Sequence, residues 1–238
     1  METVSWEKYN CKDTVTCAHI KINSPMRLHL FKFLKVWLSS QREGIALFKG
    51  SYVKFKSSLL YGGRIKIGRH FRVYGPMPLM KAGCFSQGKI YIGDGFVLVN
   101  STKNNLVGVL KPSSIFAGNG SITIGNNVGM SGVSIYSDAS IEIGDNVKIG
   151  ANCFIYDTDF HSKDPIERIT DSDQSKVGKA PITIEKDAFI GLNCIVLKGV
   201  TIGRGAIIGS GCVVSKNVGE AEICVSASNR ILSNINNL

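Results

Sequence analysis

The sequence predicts an all-β solenoid, a parallel β-helix with a partly helical N-terminal cap and a short C-terminal tail. Aliphatic residues recur at every sixth position, and small or apolar residues recur at a second fixed position of the same unit. Glycine is abundant and proline scarce, with 26 and 6 residues among 238. Neither an α-helix nor an ordinary strand has a six-residue period. Each unit is therefore read as a short strand and a corner, and three units close a coil of about 18 residues that stacks on the next.

The six-residue period is clearest near the C-terminal end of the chain. Six aliphatic residues follow one another there at this spacing: Ile184, Ile190, Val196, Ile202, Ile208 and Val214. The same step recurs from Ile143 to Ile155 and from Ile124 to Met130, and more weakly near Ile67 and Ile92. Glycine often follows the aliphatic residue, with Asp, Asn or Arg often next, and these residue types tolerate the left-handed backbone conformation that sharp corners need.

Three of the seven cysteines occupy the small position of the unit. This position holds Val128, Val147, Cys153, Ala188, Cys194, Val200, Ala206, Cys212 and Val218. Buried cysteine behaves as a small hydrophobic residue, so these three are expected to fill the core and to have no redox or nucleophilic role. The cysteines are scattered without a CxxC pair, which argues against a disulfide framework and a zinc site.

The repeat divides the chain into a cap at residues 1–63, a solenoid at 64–219 and a tail at 220–238. Met26–Ser40 has the apolar spacing of a helix. One interpretation is a cap that packs over the first coil. The other is a basic amphipathic surface that contacts a membrane carrying a lipid-linked acceptor. The basic residues that would extend this surface are Lys49, Lys54, Lys56, Arg64, Lys66, Arg69 and Arg72.

The formal net charge of +10 favours an anionic partner, whether nucleic acid, a membrane surface or a phosphorylated cosubstrate. The N-terminus lacks the basic and then apolar order of a secretory signal. The longest apolar stretch, 26–38, is too short and too charged to span a bilayer. We therefore expect a cytoplasmic protein. The basic surface would allow it to lie at the inner face of the membrane.

The repeat breaks once, sharply, between Ile155 and Ile182, where about twenty residues leave the array before the period resumes. We expect an extruded loop at 161–181. A long insertion in an otherwise regular solenoid usually has a function. His161, at the start of this loop, is the only histidine of the central and C-terminal repeats.

The segment Ile143–Pro165, IGDNVKIGANCFIYDTDFHSKDP, resembles the active-site stretch of the hexapeptide-repeat acyltransferases. Within that family it is most similar to the sugar O-acetyltransferases, which include the maltose and galactoside enzymes and those that modify bacterial surface polysaccharides. The repeat over roughly residues 64–219 has the family's pattern. The resemblance implies a left-handed coil, a homotrimer, acetyl-CoA as acyl donor, a sugar or glycan as acceptor, and His161 as the catalytic residue.

A base is needed because a sugar hydroxyl is barely ionised at neutral pH and attacks a thioester poorly. Imidazole titrates near neutral pH and typically contributes ~10²–10⁴-fold as a general base. A carboxylate on the other ring nitrogen would fix the tautomer and stabilise the imidazolium. Asp157 and Asp159 are the candidates for this role, and both could equally be turn-forming residues.

The resemblance also implies a set of residues that contact coenzyme A in the later coils: Phe189, Leu192, Ser210, Ser215, Lys216 and Arg230. Lys216 and Arg230 are the expected partners of phosphate or ribose groups. A solvated corner lysine is the alternative for Lys216.

Three other functions compete with this hypothesis. A carbonic anhydrase on the same solenoid would need three imidazoles around zinc, but His19, His29, His70 and His161 are widely dispersed, and no metal site is expected. A non-catalytic scaffold or a module that binds an anionic ligand would also account for the charge. A nucleic-acid binder would do so too, although no nucleic-acid-binding motif is present, and none is expected as a partner.

Overall fold

The computed structural model describes residues 25–83, 87–169 and 176–226, with side chains from residue 38 onward. The chain divides into two compact units, residues 1–43 and 44–238. Of the first unit, only the beginning of a helix is described. The second unit contains the remainder of that helix and the whole solenoid. Its first strand begins at Ile65.

Helix α1 spans Pro25–Tyr61 and is followed by a 3₁₀ turn at Gly62–Arg64. It extends well past Ser40, where the sequence placed its end. No proline interrupts residues 26–61, and Gly62, with φ of +56°, supplies the left-handed stop. Gly50 lies inside the helix because the backbone of Phe71 leaves no room for a side chain. A Cβ there would lie 1.8 Å from the carbonyl oxygen of Phe71.

The helix is followed by nineteen described strands, and all of their pairings within the sheets are parallel. They are β1 Ile65–Ile67, β2 Arg72–Tyr74, β3 Leu79–Ala82, β4 Lys89–Ile92, β5 Val97–Val99, β6 Ser114–Ala117, β7 Ser121–Ile124, β8 Gly129–Ser131, β9 Ser134–Ser137, β10 Ser140–Ile143, β11 Lys148–Ala151, β12 Phe154–Tyr156, β13 Ile182–Ile184, β14 Phe189–Ile190, β15 Ile195–Val196, β16 Thr201–Ile202, β17 Ile207–Ile208, β18 Val213–Val214 and β19 Ile223–Cys224. A second 3₁₀ turn lies at Glu167–Ile169.

The strands form three sheets, which are the three faces of a left-handed parallel β-helix. Sheet A has the order β1-β4-β7-β10-β13-β16, sheet B has β2-β5-β8-β11-β14-β17-β19, and sheet C has β3-β6-β9-β12-β15-β18. Three consecutive strands make one coil, so coil 1 is β1–β3 and coil 6 is β16–β18. The three edges between faces are named A–B, B–C and C–A.

The aliphatic residues of the predicted six-residue period form the core of the molecule. Aliphatic residues of successive coils lie directly over one another, as Ile122 over Ile141 and Ile124 over Ile143 do in sheet A. These side chains are at most 2% exposed. The six residues from Ile184 to Val214 are buried to the same degree. Stacking thus gives each coil the hydrophobic neighbours that a single coil lacks. The predicted fold class is confirmed.

The corners show which residue of each unit adopts the left-handed conformation. The glycine that follows the aliphatic residue does not have positive φ; the residue two positions later does, as in Asn127, Asn146 and Gly95. The first glycine is required for close approach instead. A Cβ on Gly144 would lie 2.5 Å from the backbone nitrogen of Lys186 in the next coil. The repeat therefore uses glycine for stacking and asparagine or glycine for the left-handed turn.

The repeat cysteines fill the core, as expected. Cys153, Cys194 and Cys212 are at most 2% exposed and contribute to the continuous hydrophobic core. Burial raises the pKa of the Cys153 thiol to about 12. Burial likewise raises the pKa of Cys194.

The repeat breaks twice among the described residues, and the expectation of one break was wrong. A second insertion, residues 100–113, leaves coil 2 at the B–C edge between β5 and β6. It folds back on the corners of later coils, where Asn152 Oδ1 accepts a hydrogen bond from the backbone of Leu110 at 2.9 Å and Asn152 Nδ2 donates to the carbonyl of Gly108 at 3.2 Å. No helix in the described part of the chain is long and apolar enough to cross a bilayer.

Candidate active site

His161 lies at the C–A edge, just after strand β12 of coil 4, where the chain leaves the solenoid. The inserted segment, residues 157–181, returns to the solenoid at β13 and is described except for 170–175. The side chain of His161 is exposed. The predicted loop and its histidine are therefore presented on the surface, at the edge between two sheets.

The base of the insertion is held closed by the backbone. Thr158 and Lys179 form an antiparallel bridge. The amide of Asp159 donates to the carbonyl of Gly178 at 2.9 Å, and the amide of Ala180 donates to the carbonyl of Asp157 at 3.0 Å. His161 thus lies only two residues after Asp159, whose backbone is fixed by the hydrogen bond to Gly178.

Asp157, one of the two candidate partners of His161, stabilises a corner of the preceding coil. Its carboxylate is fully buried and accepts three hydrogen bonds from that corner. The Ser137 hydroxyl donates at 2.7 Å, and the amides of Asp138 and Ala139 donate at 2.7 and 2.9 Å. Both carboxylate oxygens are used, and all three donors belong to the corner of coil 3 and not to a turn at Asp157 itself.

Asp159, the other candidate, anchors the insertion to coil 5. Its Oδ1 lies 2.6 Å from Lys198 Nζ, and Lys163 Nζ lies 3.7 Å from Oδ2. Among the described atoms, Asp159 Oδ2 is buried and accepts no hydrogen bond. Asp159 Oδ2, two residues from His161 in the chain, can therefore still accept a hydrogen bond.

Phe160 was not singled out in the sequence, yet it sets the direction in which the chain leaves the solenoid. It adopts φ of +65°, a left-handed conformation that is unfavourable for a bulky residue. Its ring packs against Tyr136 and Tyr156 at centroid distances of 4.9 and 5.5 Å, and Tyr136 stacks on Phe116 at 5.4 Å. Phe116, Tyr136 and Tyr156 occupy the same outward position of three successive strands in sheet C. This recurrence of aromatic residues is the sequence signal that could have identified the stack.

Further charged groups line the same edge. Lys179 Nζ lies 3.3 Å from the carboxylate of Asp138, and the Tyr136 hydroxyl lies 3.3 Å from the same side chain. Burial and then the Asp138 charge raise the pKa of Tyr136. In the described ranges, no group of three or more His, Cys, Asp or Glu side chains is arranged to hold a metal ion.

The sequence matches the family described as the hexapeptide repeat of succinyl-transferase at residues 121–157 and 181–216. These two blocks are the coils on either side of the insertion, and their aliphatic residues are the buried ones. Hexapeptide repeats of this family are therefore present on both sides of the insertion.

Solved structures similar to this hexapeptide-repeat protein include three acetyltransferases. A hexapeptide-repeat acetyltransferase from Vibrio cholerae is 26% identical, with 61% of this chain and 73% of that chain covered and a TM-score of 0.45. A maltose O-acetyltransferase from Clostridium difficile is 31% identical over 48% and 59%, with a TM-score of 0.39. The polySia-specific acetyltransferase NeuO is 18% identical over 71% and 86%, with a TM-score of 0.43. No curated protein sequence is significantly similar to this chain.

The residues expected to contact the donor fall on two different edges of this hexapeptide-repeat protein. Ser215 and Lys216 follow β18 at the C–A edge, the edge that carries His161, and both are exposed. Leu192 and Ser210 lie in stacked corners at the B–C edge, and Phe189 points outward from sheet B. Arg230 lies outside the described residues. A single copy of the chain therefore does not bring the described residues of this set to one groove.

Sheet B also carries an outward apolar column along the later coils. Phe189, Ile207 and Ile223 lie over one another and are 49%, 39% and 69% exposed. On sheet C, Val213 is exposed at the corresponding level. Exposed apolar columns of this size indicate a surface that another molecule covers.

Proposed function

We propose that this protein is an acetyl-CoA-dependent O-acetyltransferase that acylates a sugar hydroxyl, with His161 as general base. The observation that carries the proposal is the position of His161. It is an exposed imidazole at the start of the long insertion between β12 and β13, three residues after the Thr158–Lys179 bridge that fixes the loop. The residues from Ile143 to Pro165, which resemble those of the sugar O-acetyltransferases, support the assignment.

The chemistry requires one proton acceptor near both substrates. His161 removes the proton from the acceptor hydroxyl as its oxygen attacks the thioester carbonyl. The tetrahedral intermediate collapses, the carbon–sulfur bond breaks, and the imidazolium returns the proton to the departing CoA sulfur. The products are the O-acetyl sugar and free CoA thiol. No covalent acyl-enzyme is needed.

Asp159 is the better candidate to orient His161. Asp157 already accepts three hydrogen bonds at a buried corner, whereas Asp159 Oδ2 accepts none among the described atoms. The ion pair with Lys198 fixes this carboxylate through its other oxygen, Oδ1. A carboxylate held in this way can stabilise the imidazolium when His161 takes the proton.

Acetyl-CoA fits a groove shared between two subunits. Lys216 is an exposed cation on the edge that carries His161, and phosphate groups are its natural ligands. Phe189, Leu192 and Ser210 belong to another edge, so a neighbouring subunit supplies them in this proposal. A homotrimer provides such pairs of edges three times and covers the apolar column on sheet B. Arg230, in the C-terminal tail, remains a proposed donor contact.

The proposed acceptor is a sugar of a bacterial surface polysaccharide, such as capsule, O-antigen or exopolysaccharide, which the Asp-Thr-Asp-Phe-His form of the loop favours. A location at the inner face of the membrane is proposed with it. Peripheral membrane contact through the basic N-terminal segment is part of the same proposal.

The proposal is tested with purified protein, acetyl-CoA and a panel of acceptor sugars, by measuring CoA thiol release and acetylated product. We expect His161→Ala to lose ~10²–10⁴-fold of turnover. His161→Asn should be no better, because an amide can keep one hydrogen bond but cannot accept the proton. Trimer size and melting temperature should stay nearly unchanged, since His161 is exposed. A folded His161→Ala protein within a few-fold of wild type would refute the assignment.

A further inference from the structure

The part of helix α1 that belongs to the solenoid unit, residues 44–61, has two opposite apolar faces. One face packs on coil 1: Ala46, Val53 and Ser57 are at most 6% exposed, and Gly50 touches the backbone of Phe71. Lys49 Nζ also donates to the carbonyl of Gly75 at 2.7 Å. This face accounts for the attachment of the helix to the solenoid.

The other face carries large apolar side chains in solvent. These are Ile45, Phe48, Tyr52, Phe55 and Leu59, with exposures of 56%, 72%, 48%, 66% and 74%. Their spacing of three and four residues places them in one stripe along the helix, on the side away from coil 1. We call these five residues the α1 stripe. An apolar surface of this extent indicates an interaction site.

The charge around the α1 stripe selects the partner. Residues 44–83, which contain this helix segment and coil 1, include no Asp or Glu. They include eight basic residues: Lys49, Lys54, Lys56, Arg64, Lys66, Arg69, Arg72 and Lys81. Arg69 is paired with Asp94 of the next coil. Pairing two copies through the α1 stripe would bring the remaining like charges together. An anionic lipid surface neutralises them and takes up the apolar side chains as well.

The apolar surface continues into a cleft of about 240 Å³ between the helix and strand β3. Tyr52 belongs to both the α1 stripe and the lining of this cleft, and Leu60 and Pro78 extend the lining. Lys56 and Lys81 also line it. Apolar walls combined with two ammonium groups suit a lipid whose phosphate lies beside the lysines.

We propose that the α1 stripe and the lysines beside it form a docking surface for an anionic phospholipid bilayer. The stripe enters the boundary between headgroups and acyl chains, and the lysines contact lipid phosphates. This inference assigns the membrane contact to apolar residues of 44–61, which the basic residues assist. It does not depend on the acetyltransferase activity, so the two can fail separately.

The test is co-sedimentation of the full chain with vesicles of equal parts phosphatidylglycerol and phosphatidylcholine, with phosphatidylcholine vesicles alone for comparison. We expect binding to the anionic vesicles that weakens with salt. The stripe variant Phe48→Ser/Phe55→Ser/Leu59→Ser should lower the partition coefficient ~10-fold or more. Its matched control, Leu106→Ser/Leu110→Ser/Val225→Ser, removes three side chains that are 100%, 86% and 69% exposed elsewhere and should bind as wild type does.

A second pair of variants tests the charge. Lys56→Gln/Lys81→Gln should weaken binding and its salt dependence, whereas Lys103→Gln/Lys186→Gln should change both less. Wild-type protein that ignores anionic vesicles, or a stripe variant that binds them equally well, would overturn the proposal. Light scattering without vesicles gives a further check. A lower molar mass for the stripe variant than for wild type would also overturn the proposal, because the α1 stripe would then be an interface between copies.

Discussion

Lys198 Nζ lies 2.6 Å from Asp159 Oδ1, and this ion pair joins coil 5 to the base of the insertion that carries His161. Both side chains are only a quarter exposed. Water therefore screens the pair less than it screens a surface ion pair. The loop that presents the proposed base is thus held by a contact between residues that lie 39 positions apart in the chain.

Replacing Lys198 with methionine should destabilise the protein by about 1.5–3 kcal/mol, because it leaves a largely buried carboxylate without its charge-assisted hydrogen bond. Turnover should fall as well, since Asp159 would no longer be fixed. Urea unfolding and steady-state kinetics measure the two effects. The control is Lys163→Met: this amine is 3.7 Å from Asp159 but 81% exposed, so we expect a change below about 1 kcal/mol. Equal losses in both variants would contradict the anchoring role of Lys198.

Two glycines of the repeat should respond in opposite ways to the same substitutions. At Gly144, alanine adds a Cβ 2.5 Å from the backbone of Lys186, and we expect a loss of about 1–3 kcal/mol, with asparagine at least as costly. At Gly211, φ is +76° and nothing lies within 4 Å of a Cβ. Alanine there should cost about 1–2 kcal/mol and asparagine less. Thermal unfolding of the four variants ranks them, and the same order at both positions would refute the distinction.

This distinction also shows what the sequence could predict and what it could not. The stacked positions, such as Ile122 over Ile141, follow from a spacing along the chain, so the coil and its core were predictable. The roles of Gly144 and Asp157 depend on atoms of the neighbouring coil, about twenty or more residues away. No local pattern specifies those contacts. The extension of α1 to Tyr61 belongs with them, because the solenoid packs against Val53 and accommodates Gly50.

Cys153 should resist alkylation in the folded protein. Burial raises the pKa of its thiol to about 12, so almost none of it is the reactive thiolate at neutral pH, and reagent has no access to a side chain with 0% exposure. Iodoacetamide labelling followed by mass spectrometry should find Cys153 unmodified in native protein and modified after unfolding. Cys224 is the internal control, because it is only partly buried. Rapid native labelling of Cys153 would mean that coil 4 opens readily.

The distribution of the proposed donor contacts over two edges predicts that defective subunits can complement each other. His161→Ala inactivates the C–A edge, and Ser210→Glu places a negative charge at the B–C edge, where it should repel the phosphates of CoA. Each homotrimer alone should lose most of its activity. In a ring of three subunits, every mixed trimer contains one junction where an intact C–A edge meets an intact B–C edge. Trimers purified through two different tags should therefore show about one third of wild-type turnover.

The matched control for this complementation pairs His161→Ala with Lys216→Glu. Both residues lie on the C–A edge, so no junction of a mixed trimer has that edge intact, and activity should stay at the level of the separate variants. Rescue in the first mixture and none in the second would establish that each site takes its base from one subunit and part of its donor groove from the next. No rescue in either mixture, from trimers shown to contain both chains, would place the complete site within one subunit and contradict the shared groove.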